Sequence, residues 1–302
     1  VTEGNCGQEA CVARNGKRQG EISSVFMPYS PRVEDIAVYP VKGMQGHSVR
    51  SAEAEECGLR GDRRWMVVDV DGMFLSQREL PGLARIAPRL GAAGLSLTIA
   101  DETIHVPVPG DEATSLKVRI WHDTLPVRDS GDQVAEWLGR QLGRPVRLVF
   151  QNDPDLRRTD VTYAPTQPSV SLADGFPLLI TSTASLGDLN QRMATDVPMA
   201  RFRPNIVVTG CSAWAEDTWR LIRIGSSVIR LVKPCARCAV TLVDQKTGEK
   251  PTPREPLRTL ATFRRGRRGV MFGQNAIIVK PGVIRLTDRI ELLEIGPVDL
   301  DM

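Results

Sequence analysis

No apolar run in this 302-residue chain reaches the length of a membrane-spanning helix, and the opening Val1-Thr2-Glu3-Gly4-Asn5-Cys6 has neither a basic nor an apolar leader segment. The expectation is therefore a protein that is soluble and not secreted. No Gly-x-Gly-x-x-Gly opens a helix, which argues against a dinucleotide-binding Rossmann domain. No Cys-x4-Cys-x2-Cys run is present to hold a plant-type iron–sulfur cluster. Histidine is scarce: His47, His105 and His122 are scattered, and there is no second Cys-x-x-Cys, so a closed zinc site is hard to assemble. An excess of charge is missing too. With 39 basic against 36 acidic residues the net charge is +3, which argues against a nucleic-acid binder and against a disordered tail. The six cysteines (Cys6, Cys11, Cys57, Cys211, Cys235 and Cys238) are too few for a disulfide framework in so long a chain, so reduced thiols are expected.

What is present is enough apolar sequence, 41% of residues, to bury the cores of two domains. Residues 1–30 are rich in Gly, Asn, Gln and Ser and read as a loose extension in which Cys6 and Cys11 have no assigned role. Order begins at Val33. Short apolar runs at Ile36–Val41, Arg63–Val70, Leu95–Ile99, Thr103–Val106, Lys117–Trp121 and Val146–Phe150 read as strands, and Asp71-Gly72 ahead of Met73-Phe74-Leu75 marks a hairpin. Val134, Trp137, Leu138 and Leu142 recur at helical spacing, with Ser130 and Asp132 as candidate caps and Gly143 as a stop. The polar, proline-bearing stretch 151–167 suggests a junction, dividing the chain into 31–150 and 151–302. Beyond it come a strand at Phe176–Ile180 and a helix carrying Leu186, Leu189 and Met193 after Ser182 or Thr183. Further strands are expected at Asn205–Val208, Leu221–Ile224, Val228–Val232, Ala239–Val243, Ala276–Val279 and Arg289–Leu293. Many short strands and few helices predict a mainly β (α+β), barrel-like antiparallel fold.

The chemistry concentrates in Lys233-Pro234-Cys235-Ala236-Arg237-Cys238-Ala239-Val240. Two thiols with a guanidinium between them are suited to ligating a soft metal or to redox work. The residues alone leave four readings open: structural zinc, a thioredoxin-like dithiol, inert buried thiols, and a thiolate that binds a metal cofactor. Lys42, Arg63, Arg201 and Arg203 stand at the ends of apolar runs, where converging cations suit a phosphate or another polyanion. The run Arg264-Arg265-Gly266-Arg267-Arg268 lacks interleaved aromatics and reads as a solvated loop, whose charge could at most attract an acidic redox partner.

Beyond these residue types, the order of several motifs resembles the MOSC proteins, and within them the branch of the mitochondrial amidoxime-reducing component and its bacterial relatives. The marks are Tyr39-Pro40-Val41-Lys42-Gly43, Gly58-Leu59-Arg60 with Asp62-Arg63-Arg64-Trp65, Ala184-Ser185-Leu186, Arg203-Pro204-Asn205, Ala215-Glu216-Asp217-Thr218-Trp219, Cys235 to Asp244, Glu255-Pro256-Leu257 and Phe272-Gly273-Gln274. The resemblance covers about residues 31–302. It implies an N-terminal MOSC β-barrel domain followed by a MOSC domain with a few helices. It implies a molybdenum cofactor (Mo-molybdopterin) with Cys238 as the metal ligand and catalytic thiolate. Lys42, Gly43, Arg63 and Arg203 would lie at the pterin's phosphate end, Asp174, Gly175 and Phe176 along the pterin, and Ala236 and Arg237 beside the metal. Gly43, Ala236 and Arg64 depart from the family's usual Ser, Ser and aromatic residues.

The activity so implied is reduction of N-hydroxylated compounds such as amidoximes, hydroxylamines and N-hydroxylated bases. The alternative is a carrier of molybdenum cofactor or sulfur without turnover. Electrons are expected from a separate protein: a ferredoxin, a cytochrome b5-like protein or a flavin reductase. With no anchor visible, a cytoplasmic, bacterial protein is expected. Cys211 matches a family cysteine and is read as a packed strand-end thiol.

Overall fold

The computed structural model describes Val1 and residues 30–301; the expected N-terminal extension with Cys6 and Cys11 lies outside them. The described residues form twenty strands and three α-helices, the strand-rich mixed fold expected from the sequence.

The largest sheet has nine strands. Its path runs Ile290–Ile295, Trp219–Ile224, Ser227–Ala236, Gly269–Lys280, Leu178–Ser182, Ile206–Thr209, Arg32–Val38 and His47–Ser48, and the two-residue strand Arg265–Gly266 pairs with Gly269–Lys280 off that path. One face of it encloses a core of Ile36, Val38, Ile180, Ile206, Val208, Ile222, Ile229, Leu231, Ala276 and Ile278, all nearly inaccessible to solvent. Leu178–Ser182 is buried along its whole length because it is covered on both faces, and it runs parallel to Ile206–Thr209. Parallel neighbours need a crossover, which here begins with the helix Thr183–Gln191. Ser182 settles where that helix starts, its hydroxyl accepting from the Ala184 and Ser185 amides.

A five-stranded sheet joins Ser115–Ile120, Asp123–Asp129, Arg147–Phe150, Trp65–Val68 and Val41–Lys42. The helix Asp132–Leu142 packs Val134, Trp137 and Leu138 into its core, as their spacing predicts, and Gly143 ends it in the left-handed conformation. Gly131, not Ser130, is its N-cap, and no side chain caps it; Asp132 instead accepts from Arg147. Asp71-Gly72 does form a tight turn, closed by the Asp69 amide on the Met73 carbonyl, with pairing limited to a single bridge between Val68 and Phe74.

The expected strand Ala239–Val243 is absent. Those residues form a short 3-10 turn, and the strand lies upstream, running from Ser227 through Cys235 to Ala236. The apolar, β-branched content of Ala239–Val243 imitates a strand, but Cys238 halts the ladder: its carbonyl accepts from both the Thr241 amide and the Thr241 hydroxyl.

The N-terminal third is interleaved with the rest. Arg32–Val38 pairs with Ile206–Thr209, Ser51–Glu55 pairs with Gly282–Arg285, and Arg63 donates its amide to the Tyr39 carbonyl while its own carbonyl accepts from Leu172. Residues distant in sequence are thereby brought to one cleft.

Candidate functional site

One end of the cleft is cationic. Lys42 ends a two-residue strand held in parallel register beside Trp65 and Met66, which drives its side chain into a buried position. Burial pulls its ammonium down to about 8, against the pull of Asp174, with which it forms an ion pair. Asp174 is 70% exposed, yet the solvent it meets lies at the cleft. Burial in the surrounding protein pushes its carboxyl up, but the Lys42 ammonium, the Trp121 indole N–H at 3.2 Å and Arg63 together hold it well below the usual carboxylate range.

Behind Lys42, Arg63 and Arg203 share one aromatic ring. Their guanidinium carbons stand 4.5 and 4.4 Å from the centroid of Tyr39, and the Tyr39 hydroxyl donates to the Pro204 carbonyl. Both arginines have left-handed backbone conformations, φ 50° and 56°, which cost a non-glycine residue energy that the surroundings must repay. The repayment is visible. Arg63 donates to Asp62, to Asn205 Oδ1 at 3.1 Å and to the Arg203 carbonyl at 3.3 Å; Arg203 donates to Gln245 Oε1 at 2.9 Å. Burial pulls Arg203 down to about 10, with Tyr39 opposing, and its Nη2 is buried without a hydrogen-bond partner. An unpaired buried donor of that kind is costly and would be satisfied by an anion.

The other end holds the thiols. The strand Ser227–Ala236 carries Cys235 and Ala236 to the rim, where the Arg237 amide donates to the Val270 carbonyl at 2.8 Å. Arg237 does not serve Cys238. Its Nη1 donates to Cys235 Sγ at 2.9 Å and its Nη2 to the Phe202 carbonyl at 2.7 Å, leaving Nε buried and unpartnered. The cation at Cys238 is Arg78, whose Nη1 lies 3.9 Å from Cys238 Sγ, and whose guanidinium lies 4.7 Å from the centroid of Trp121. Each thiol thus has its own guanidinium.

All ten residues named from the sequence line this one cleft: Lys42, Gly43, Arg63, Asp174, Gly175, Phe176, Arg203, Ala236, Arg237 and Cys238. Gly43 has φ +84°, and a Cβ there would meet Leu83 at 3.2 Å, so glycine suits the turn behind Lys42. Sequence reasoning missed Arg78, Gln77 and Gln245. A signal for the first was available: Ser76-Gln77-Arg78-Glu79 has capping-box spacing, and Glu79 accepts from both the amide and the hydroxyl of Ser76, fixing the turn that projects Arg78. Gln77 donates to the Gly43 carbonyl at 2.7 Å and bonds Gln245, tying Lys42's turn to Arg203. Cys211 lies outside the cleft lining, its Sγ 3.5 Å from Ser182 Oγ, and burial pushes its thiol up. Among the described residues no three His, Cys, Asp or Glu side chains converge as a metal site. A metal held at Cys238 therefore needs further ligands that arrive with it.

Residues 30–145 match the MOSC N-terminal beta barrel domain and residues 167–291 match the MOSC domain. Mitochondrial amidoxime-reducing component 1 of Danio rerio is 33% identical over 273 residues, spanning 85% of this chain and 83% of that protein. The chain belongs to this MOSC family. Its Homo sapiens member, mitochondrial amidoxime-reducing component 1, is 34% identical over 280 residues, covering 86% of this chain and 82% of its own length. Mitochondrial amidoxime reducing component 2 of Bos taurus is 35% identical over 251 residues, with 77% and 72% covered. Membership makes redox chemistry the activity of the chain in general. It also corrects the expected location: these relatives are vertebrate proteins named as mitochondrial, so the expectation of a cytoplasmic, bacterial protein does not stand. The earlier reading relied on seeing no anchor, and a missing anchor carries no address. Among the described residues no helix is long and apolar enough to cross a membrane.

Proposed function

We propose that the chain reduces N-hydroxylated compounds, amidoximes among them, with a molybdenum cofactor held in this cleft. The observation that carries the reading is the pairing within one cleft of a buried, unpartnered guanidinium nitrogen, Nη2 of Arg203, and a half-buried thiol on Cys238. A pterin phosphate satisfies the first and a soft metal the second, and few ligands ask for both. Lys42, Gly43, Arg63 and Arg203 would hold the phosphate end, Asp174, Gly175 and Phe176 the pterin, and Cys238 the metal, with Ala236 and Arg237 alongside. When bound, the cofactor supplies a centre able to exchange two electrons and an oxygen atom.

The balance is N–OH plus two electrons and two protons giving N–H and water. The chain's own groups serve that balance. Lys42, held near 8, can give and regain a proton close to neutral pH, while Asp174 stays ionised and keeps Lys42 oriented. Arg78 places a positive charge beside the Cys238 sulfur. Electrons come from a separate carrier, a ferredoxin, a cytochrome b5-like protein or a flavin reductase. The division near residue 150 into two domains is part of the same reading, supported by the two separate domain matches.

The test is metal and pterin content after anaerobic purification, beside Cys238→Ser and Cys235→Ser. Molybdenum near one per chain, lost in Cys238→Ser and kept in Cys235→Ser, with benzamidoxime turnover on a chemical reductant, is the expected result. Zinc or no metal from a cofactor-replete host would sink the reading. The second thiol, with its own guanidinium, favours one rival: a carrier that transfers cofactor or sulfur to an apoenzyme. Transfer without benzamidoxime turnover would decide for it.

A further inference from the structure

The basic run Arg264 to Arg268 is not used by the cleft, and the fold gives it a specific place. Arg265–Gly266 turns back onto Gly269–Lys280, so Arg267 and Arg268 occupy the tip of a hairpin. That hairpin adjoins the cysteine element directly: Ala236 pairs with Met271, and the Arg237 amide donates to the Val270 carbonyl. Arg264 is buried against Asp217 and Trp214 and anchors the base, whereas Arg265, Arg267 and Arg268 are exposed.

A second cationic ledge continues it. Lys233 lies 4.1 Å from the Tyr163 ring centroid and 5.1 Å from that of Phe176, and Arg268 lies 5.1 Å from Tyr163. Phe176 itself lines the cleft. Tyr163, Phe176, Ala164, Val232 and Ile277 form a small apolar cluster beneath the ledge, so the cations stand on packed structure.

Charge compensation stops here. On the neighbouring strands Arg223 pairs with Glu291 and Arg230 with Glu294. At the hairpin Arg267 has Asp301 at 3.7 Å, but among the described residues Arg265, Arg268 and Lys233 have no carboxylate within ion-pair distance. Asp160 is the nearby acid, close enough to feel Lys233 and Arg268 without pairing to either.

We propose that this hairpin and ledge are the docking face for a small one-electron carrier with an acidic surface. The proposal rests on the redox reading of the cleft. The face is cationic, carries Arg and Tyr of the kind that dominate interface energies, and reaches the residues flanking Cys238 within one strand pairing. Two successive encounters deliver the two electrons needed for each N–OH cleaved, with two protons from solvent and release of one water.

The test uses two acidic one-electron carriers, a plant-type ferredoxin and the soluble haem domain of a cytochrome b5. Binding to the full chain is followed at low salt by shifts and broadening of the carrier's resonances, a readout that needs no turnover. Arg265→Glu with Arg268→Glu should weaken binding of at least one carrier about tenfold or more and flatten its salt dependence, while Arg265→Lys with Arg268→Lys should bind as the parent does. Arg265→Gln with Arg268→Gln should fall between them and stands in if the reversed pair does not fold. Turnover driven by a small viologen reductant should be unchanged in all three. Equal binding by the parent and the charge-reversed chain, or no binding of either carrier by the parent, overturns the docking face. Loss of viologen-driven turnover in the parent overturns the proposed reaction instead, and leaves the binding result to be judged by itself.

Discussion

The two ends of the cleft are built on opposite plans. At the cationic end the groups are tied to one another: Arg63 and Arg203, both in left-handed conformations, rest on one ring, Lys42 is paired with Asp174, and Gln245 bridges Arg203 to Gln77. At the sulfur end the two cysteines are half-buried, flank the end of a strand, Cys235 just inside it and Cys238 just past it, and touch long arginine side chains. The difference teaches where rigidity is needed. An anion clamp gains from preorganisation, since donors fixed in advance lose little freedom on binding, whereas a reacting centre must leave room for a substrate to enter and leave.

The sharpest way to break the comparison is to loosen the rigid end. Tyr39→Leu removes the ring on which both arginines rest and should weaken binding of inorganic phosphate to the cofactor-free chain by about 30-fold or more, from two cation–π contacts at about 1–2 kcal/mol each. Tyr39→Phe keeps the ring and should stay within about fivefold; titration calorimetry reads both. If Leu and Phe behave alike, the ring is not what holds the clamp.

Next comes the sulfur end. Arg78→Met keeps the bulk and removes the charge beside Cys238. It should slow thiol alkylation of a Cys235→Ser chain at neutral pH by about threefold to tenfold, by removing the cation that stands beside the sulfur. An unchanged alkylation rate would show that the 3.9 Å contact carries no electrostatic weight.

A smaller effect follows from pH. Lys42 loses its charge as pH rises through about 8, far below the ordinary lysine value, so phosphate affinity should fall about twofold to fivefold between pH 7 and 9. Lys42→Arg should remove that slope while retaining binding. For stability the same depressed ammonium works in the other sense. The unfolded chain binds the proton more tightly, so the penalty for burying the charge eases as pH rises from about 8 toward the ordinary value.

The smallest effect on the cleft is expected from a buried acid outside it. Glu216 accepts from Ser185 Oγ at 2.7 and 2.9 Å, and burial pushes its carboxyl up to about 7 against that hydrogen bond. Because the folded value lies above the unfolded one, its contribution is fully present below about 4.5 and is lost as pH rises through 7, on the order of 3 kcal/mol in all. Glu216→Gln should flatten denaturant stability between pH 5 and 8 and leave phosphate binding unchanged.

The chemistry-bearing groups were legible because each stands in a local pattern: Lys42 and Arg63 at the ends of apolar runs, Cys238 in its Cys-x-x-Cys. Their convergence was not, since it depends on pairings such as Trp65 with Val41 and Asn205 with Ala37 across most of the chain. Tyr39 reads as one more apolar strand residue, and only the fold shows two arginines on its ring. Arg78 reaches Cys238 over 160 positions of sequence. The error at Ala239–Val243 has a local cause: five residues are too few for periodicity to separate a strand from a 3-10 turn, and composition then misleads.

The interleaving of the N-terminal third has a consequence for how the protein is made. Ser51–Glu55 pairs locally with Gly58–Leu59 and Arg32–Val38 with His47–Ser48, but each waits for its second partner, Gly282–Arg285 and Ile206–Thr209. The second edge of Ser51–Glu55 stays open until more than 200 further residues have been made, and that of Arg32–Val38 until more than 160 have, a demand that slows folding. Lys42 and Arg63, which belong to this early portion, face Arg203 and Cys238 only after that delay. Any ligand needing both ends of the cleft is therefore loaded after translation has passed the last of these strands, and a nascent chain offers it no foothold.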